Sequence, residues 1–293
     1  MIKLNEIPLD YEPRKKILPR LPNYVSPQGE REPEMSEFQS AFLCGAIKKF
    51  QPKKILEVGV AGGATTAIIL QALEDIGNPY EMHSLDISVK FHRDKKLLTG
   101  FLAMFAKENN LFLSTKSTLC GEHTFHIGKF LPQVIDEIGG EIDFVVLDTI
   151  HFLPGEGMDF LAMLPYLKND AVVVLHDVAL HQSGLGSSAV CATGVLFSAV
   201  TAEKFINFIP EKDNLKFRYP NIAAFKINEQ TAEHIENVFL SLILRWSYFP
   251  SQAELLLYRE HYKRFYSNEL CEIFQEAIDM NAYNSYLASK LQK

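Results

Sequence analysis

Two short blocks hold the side chains best suited to bind a cation and move a proton. The first reads Asp148-Thr-Ile-His151 and the second His176-Asp177. Each follows an apolar run, Phe144-Val-Val-Leu147 and Val172-Val-Val-Leu175, of the type that forms a strand buried on both faces. If those runs are neighbouring strands, their ends deliver an acid and a histidine each to the mouth of one crevice. Asp148, His176 and Asp177 can then share one divalent cation. Carboxylate oxygens suit Mg²⁺ or Mn²⁺, and an imidazole tilts the choice toward Mn²⁺ or another transition metal. His151 lies close enough to Asp148 to face the same place, and an ordinary imidazole pKa of about 6.5 suits a general base. His83, His92, His123, His126, His181, His234 and His261 are read as polar surface residues.

A third block lies upstream. The run Lys54-Ile-Leu-Glu-Val58 ends in Gly59, Gly62 and Gly63, and an Ala/Thr/Ile-rich stretch without a breaker follows. That is strand, turn, helix. Glycine tolerates positive φ and lets a ligand touch the backbone, and the helix start presents free N–H groups. Glu57 at the strand end suits a cationic or hydroxyl-rich ligand better than a pyrophosphate. The dinucleotide fingerprint G-x-G-x-x-G is not met, because Ala61 stands at its middle glycine. Asp86 follows the next strand pattern, 29 residues after Glu57. In open α/β sheets an acid there holds a ribose diol, and it also fits as the N-cap of the next helix.

These residues must be positioned by the elements around them. Residues 1–35, rich in Pro, Glu and Arg, read as an N-terminal arm or lid. Ser36 caps a helix over Glu37–Phe50. Strands follow at Lys54–Val58 and Glu81–Leu85, with a helix over Ala64–Ile76 between them. Leu97, Leu98, Phe101, Leu102 and Phe105 give helical spacing to 90–108. The third strand is Leu111–Ser114 or His123–Ile127; the second is favoured, because Gly128 then opens a helix over Lys129–Ile138. A strand at Ile142–Leu147, a helix over Gly157–Leu167, a strand at Ala171–Leu175 and a helix over Ser188–Ala199 come next. Phe205–Ile209 and Ile222–Ile227 read as the last strands. Thr231–Lys293 is helical and aromatic, with Trp246, Tyr248, Phe249, Tyr258, Tyr262, Phe265 and Tyr266 read as core or interface, so 229–293 is a helical extension serving as cap or dimerisation arm of a homodimer. The alternation predicts an α/β fold over 36–228, a doubly wound, seven-stranded, mostly parallel sheet. Ligands of such sheets sit beyond the carboxyl ends of the strands.

The pattern Glu57-x-Gly59-x-Ala61-x-Gly63, with Asp86, resembles the class I S-adenosylmethionine-dependent methyltransferases, whose first motif is E-x-G-x-(G/A)-x-G. The resemblance covers about residues 36–227. It implies a Rossmann-like methyltransferase fold with S-adenosylmethionine as cofactor. Glu57, Gly59, Ala61, Gly63 and Thr65 would hold its methionine part, Asp86 its ribose, and Asp148 would line the same site. The block Asp148-x-x-His151, then a helix and His176-Asp177, is similar to the metal-dependent sugar O-methyltransferases of macrolide biosynthesis and surface-glycan gene clusters. There the aspartate of D-x-x-H binds Mg²⁺, its histidine is the proposed base, and an acidic pair completes the metal site. Asp148, His151 and Asp177 match, whereas His176 stands where an acid is usual. The implied acceptor is a small molecule, a sugar, nucleotide-sugar or glycan precursor. The polar loop His181–Ser188 is read as its rim, and the N-terminal arm as able to close over it.

Composition bounds the rest. The chain has 293 residues, 47% hydrophobic, and a net charge of −7. No basic patch stands out, so no nucleic-acid partner is expected; Arg14-Lys15-Lys16 and Arg93-Asp94-Lys95-Lys96 read as solvated helix faces. No apolar run approaches a membrane helix, and the N-terminus carries no signal-peptide pattern. Cys44, Cys120, Cys191 and Cys271 lie far apart without C-x-x-C, which points away from a disulfide framework and toward a cytoplasmic protein. The rival readings are a dinucleotide oxidoreductase, a non-catalytic interaction protein on this scaffold, and a methyltransferase with a non-sugar acceptor. Intact Glu57, Asp86, Asp148 and His151 argue against the second.

Overall fold

Valine-rich runs that hide both faces need helices on both sides, and the chain supplies them. The computed structural model describes residues 5–113, 119–182, 189–208 and 221–291. Its strands are β1 (Lys54–Val58), β2 (Glu81–Asp86), β3 (Glu122–Ile127), β4 (Ile142–Leu147), β5 (Leu167–His176), β6 (Glu203–Phe205) and β7 (Ile222–Lys226). They form one seven-stranded sheet in the order β3-β2-β1-β4-β5-β7-β6. The first five run parallel, while β7 is antiparallel to both β5 and β6. This is the doubly wound, Rossmann-like sheet that the alternation predicts.

Successive residues of the central strands feed two cores. Val145, Leu147, Val173 and Leu175 face one core. It is closed by α5 (Leu131–Ile138), α6 (Gly155–Met163) and α7 (Ala192–Ala199). Phe144, Val146, Val172 and Val174 face the other, closed by α2 (Glu37–Phe50), α3 (Ala64–Ile76), α4 (Phe101–Glu108) and the N-terminal arm. The strand order reverses between β1 and β4, so their ends diverge into the crevice where such sheets bind ligands. The Gly59–Gly63 turn and Asp148 both lie there.

The arm contains α1 (Glu12–Ile17) and buries Ile7, Ile17, Leu21 and Met35. Arg14 is not on a solvated face. Its guanidinium donates to the Met35 carbonyl at 2.8 Å and the Ser40 hydroxyl at 2.7 Å, tying the arm to α2. At the sheet edge, Asn5 bridges to Phe205, and the Asn207 side-chain amide both accepts from Ile7 N (2.8 Å) and donates to Ile7 O (2.7 Å).

The C-terminal segment forms α8 (Glu229–Glu233), α9 (Glu236–Ser241), α10 (Gln252–Tyr262) and α11 (Asn268–Leu291). Its aromatic stripe is core where it meets α6. Tyr262 and Tyr266 donate to the Met158 and Leu161 carbonyls at 2.7 and 2.6 Å, and a ring nitrogen of His261 lies 2.9 Å from the Ala162 carbonyl oxygen. No described helix is long and apolar enough to cross a membrane.

Several expectations need correction. Residues 90–100 are not helical. Lys90 bridges to Leu98, and Gly100 at φ +78° starts α4 only at Phe101. The loop returns to the glycine turn, where Gly100 N donates to Ala61 O at 2.9 Å. Arg93 therefore sits on no helix face; it pairs with Glu30 and Glu34 of the arm at 2.8 and 2.9 Å. α6 starts earlier and ends sooner than expected, since Leu167 already belongs to β5. β6 stops at Phe205, with Asn207 pairing through its side chain instead. Ser114, Ser188, Ile209 and positions 183–188 of the expected rim loop fall outside the described residues. His83, His126 and His261 are buried rather than surface residues. On adjacent strands, His83 Nδ1 and His126 Nε2 lie 3.0 Å apart.

Candidate active site

The turn after β1 is shaped from the next strand. Asp86 Oδ2 accepts from the backbone N–H groups of Val60 (3.0 Å) and Ala61 (3.2 Å), and Oδ1 accepts from Ser88 N–H at 2.8 Å. Gly59, Ala61 and Gly63 all take positive φ, at +99°, +48° and +85°. A Cβ on Gly59 would lie 1.7 Å from the Asp148 carbonyl oxygen, so the turn and the end of β4 are in backbone contact. Gly59, Val60, Ala61, Thr65, Asp86 and Asp148 form one wall of a cavity of about 450 Å³. Glu57 and Gly63 lie behind that wall. Glu57 is 1% exposed and accepts from the hydroxyls of Thr66 (2.8 Å) and Ser84 (2.6 Å). Burial outweighs those two hydroxyls and pushes its carboxyl up to about 8, so at neutral pH it is an uncharged brace between β1, β2 and α3.

The ends of β4 and β5 meet as parallel neighbours. Asp148, His151 and Asp177 each offer a ligand atom, and these atoms lie within 4.8 Å of one another. His151 Nε2 is 3.1 Å from Asp177 Oδ2 and 3.7 Å from Asp148 Oδ1. His176 Nδ1 sits beside the same carboxylates, 3.1 Å from Asp148 and 3.4 Å from Asp177. The structure thus brings all four side chains together, with His151 inside the candidate cation cluster and His176 buried beneath it. His151 and Asp177 both occupy the left-handed region, at φ +62° and +61°, a strained conformation for such residues that clusters at functional sites.

Charge is concentrated here. Burial lowers the pKa of His151, but Glu156, Asp148 and Asp177 outweigh it and raise the group to about 9. Burial likewise opposes the His176 proton, and Asp148 and Asp177 hold it well above the ordinary value. Asp148 is held down against its own burial by His176 and His151. In a protein without a cation, both imidazoles are therefore protonated at neutral pH.

Four residues at the site escaped sequence reading. Fully buried Glu156, on the first turn of α6, accepts from the His151 backbone N–H at 2.7 Å, and its carboxylate lies 3.3 Å from the ring's Nδ1. Asn221, just before β7, donates to Asp177 and accepts from Ala179 N–H at 2.8 Å. Glu32 and Glu34 of the arm reach the cavity wall. Glu156 lies only five residues after His151; the others depend on contacts between distant segments.

The far wall comes from α6 and the C-terminal helices, through Met158, Asp159, Tyr248 and Tyr258. Burial pushes the Asp159 carboxyl from 3.8 up to about 7, although Tyr258 donates to it. The sign follows. Below about pH 4 the carboxyl is protonated folded and unfolded, with no penalty. As pH rises toward 7 the unfolded chain ionises first and the folded state loses ground. Asp159→Asn should therefore stabilise the protein at pH 8 by on the order of 2–3 kcal/mol, and hardly at all at pH 4. Equal gains at both pH values in thermal unfolding would disprove the electrostatic origin.

Residues 56–178 match the family model described as a methyltransferase domain. No curated protein matches the chain. Among solved structures, the chain is similar to the O-methyltransferase TomG from Streptomyces achromogenes, involved in tomaymycin synthesis and solved with S-adenosylmethionine, at 18% identity and a TM-score of 0.45, covering 66% of this chain and 81% of that one. It is also similar to an O-methyltransferase from Bacillus cereus in complex with S-adenosylhomocysteine, at 15% identity and a TM-score of 0.42, covering 75% and 92%. The methyltransferase PaMTH1 of Podospora anserina, bound to S-adenosylhomocysteine, gives 12% identity and a TM-score of 0.42 over 67% and 80%. The matched residues 56–178 lie over β1 to β5 and carry the glycine turn, Asp86 and Asp148, so this part of the chain is similar to a methyltransferase domain.

Proposed function

We propose that the enzyme moves a methyl group to a hydroxyl oxygen of a small acceptor, a sugar or glycan precursor, with His151 as base and a divalent cation at Asp148 and Asp177. The observation that carries this reading is the convergence of Asp148, His151 and Asp177 within 4.8 Å beside the cofactor turn. Two carboxylates fit Mg²⁺ or Mn²⁺, His151 is left to act as base, and the His176 imidazole lies beside the same carboxylates. No Lys or Arg lines the cavity among the described residues, which supports a neutral hydroxylated acceptor over a nucleotide-sugar or another phosphorylated one. Residues 1–35 act in this reading as a lid, and 229–293 as a cap that closes the far wall through Tyr248 and Tyr258.

Bound S-adenosylmethionine supplies a methyl group already activated by its positive sulfur, so the chain provides alignment and proton removal. A bound divalent cation lowers the pKa of an acceptor hydroxyl. Asp148 and Asp177 would hold that cation, and carboxylates so engaged would no longer favour a proton on His151, leaving Nε2 to accept the one the hydroxyl gives up. Glu156 keeps the ring turned to that task from the Nδ1 side. In the transfer the acceptor oxygen would gain the methyl carbon as the carbon–sulfur bond breaks, and His151 would keep the proton until product leaves.

The deciding experiment is calorimetric titration with S-adenosylhomocysteine, with and without Mg²⁺ or Mn²⁺. Micromolar binding is expected, lost in Asp86→Ala, because that carboxylate both faces the cavity and shapes the turn. No binding under any metal condition would remove the reading.

A further inference from the structure

We infer that Glu32 of the N-terminal arm is the carboxylate that receives the ammonium group at the methionine end of the cofactor; this rests on the cofactor reading above. The arm presents Glu30, Glu32 and Glu34 in alternation. Arg93 takes the outer pair, at 2.8 Å to Glu30 and 2.9 Å to Glu34. Glu32 makes no ion pair among the described residues. Its side chain turns instead to the cavity wall and lies against the glycine turn.

Gly62 records that placement. Unlike Gly59 and Gly63, it has no positive φ, so its backbone would accept a side chain. A Cβ there would lie 2.7 Å from the Glu32 carboxyl carbon and 3.0 Å from Oε1, so the end of that side chain would have to move aside. The missing side chain at 62 makes room for the Glu32 carboxyl group.

Oε1 of Glu32 is closed off from solvent and has no hydrogen-bond partner. Leaving such an acceptor unmet costs more than a typical hydrogen bond returns, and a cationic donor from the ligand would meet it. Burial, reinforced by Glu34 and Asp148, pushes this carboxyl up to about 8, and an arriving cation would relieve that crowding of acids. The amino-acid end of the ligand also has a carboxylate. Thr65, on the same wall, sits in the first turn of α3, whose N-cap Gly63 supplies no capping side chain. The two halves of a zwitterion are thus met by opposite partners, backbone N–H groups and Glu32.

The test compares two ligands by calorimetry on the full chain, wild type and Glu32→Gln. S-adenosylhomocysteine carries the amino-acid end; 5′-methylthioadenosine lacks it. Glu32→Gln should weaken S-adenosylhomocysteine by roughly ten- to a hundredfold, the scale of one hydrogen bond to a charged group. Binding of 5′-methylthioadenosine should stay within about twofold, which also shows that the variant is folded. Unchanged S-adenosylhomocysteine affinity would overturn the inference, and so would a parallel loss of both ligands, the mark of a merely structural role. If neither ligand binds the wild type, the cofactor reading itself fails and takes the inference with it.

Discussion

Replacing His151 with alanine should lower methyl transfer by roughly 10²- to 10⁴-fold, the usual contribution of a positioned general base, while S-adenosylhomocysteine affinity stays within about twofold. The asymmetry follows from placement. The ring stands over the Asp148 and Asp177 carboxylates, 3.7 and 3.1 Å away, and is held from behind by Glu156. The cofactor turn is shaped by Asp86 and Gly59 and takes nothing from His151. The same geometry sets the pH response. With Asp148 and Asp177 uncompensated, His151 keeps its proton until pH rises through about 9. A base must be neutral, so in chelator the residual rate should climb with pH up to that region. Mg²⁺ or Mn²⁺ should move the climb to lower pH. Turnover unchanged in His151→Ala would sink the assignment, and an ascending limb indifferent to metal would sink the shared site.

Gly59→Ala is expected to be the most damaging single methyl in the chain. The new Cβ would fall 1.7 Å from the Asp148 carbonyl oxygen and 2.6 Å from its carbon, both backbone atoms, at a φ of +99°. Neither segment can yield without parting β1 from β4, so a stability loss of about 3 kcal/mol or more is expected, with cofactor binding lost as well. Gly77→Ala is the control. It also has positive φ, at +75°, but a Cβ there meets nothing within 4 Å, so only the left-handed penalty of about 1–2 kcal/mol applies. Denaturant midpoints of the two variants measure the difference. Similar losses would mean that contact with Asp148 is not what requires glycine.

Much of this was legible because it is local. Lys54–Val58, Ala64–Ile76 and Ile142–Leu147 end where apolar run, glycine and cap say they should. The meeting of Asp148 with His176 follows from the apolar runs before them, which lie in parallel register with Leu147 opposite Leu175. Where reading fails, distant segments decide. Leu97 and Leu98 have helical spacing, yet Gly100 is drawn to Ala61, and the stretch before it becomes a loop. Arg93 looks solvated until the arm brings Glu30 and Glu34 to it. His83 and His126 look like surface residues because nothing in either strand announces that the other will lie beside it. Glu32 is one of three alternating acids in the arm, and the bare Gly62 opposite sets it apart from the other two.

The arm's grip on the sheet edge has a consequence for how the chain survives its own synthesis. β6 is the last strand of the sheet, and an open strand edge is a template for pairing with another molecule. Here the place is taken by Asn5–Ile7, partly through the Asn207 side chain acting as a surrogate backbone. The partners lie 200 residues apart in sequence. The guarding segment is made 200 residues before its dock, and contacts of such separation form late in folding. The protein therefore carries its own protection against edge-to-edge aggregation, and that protection comes into force only after 200 further residues have been made.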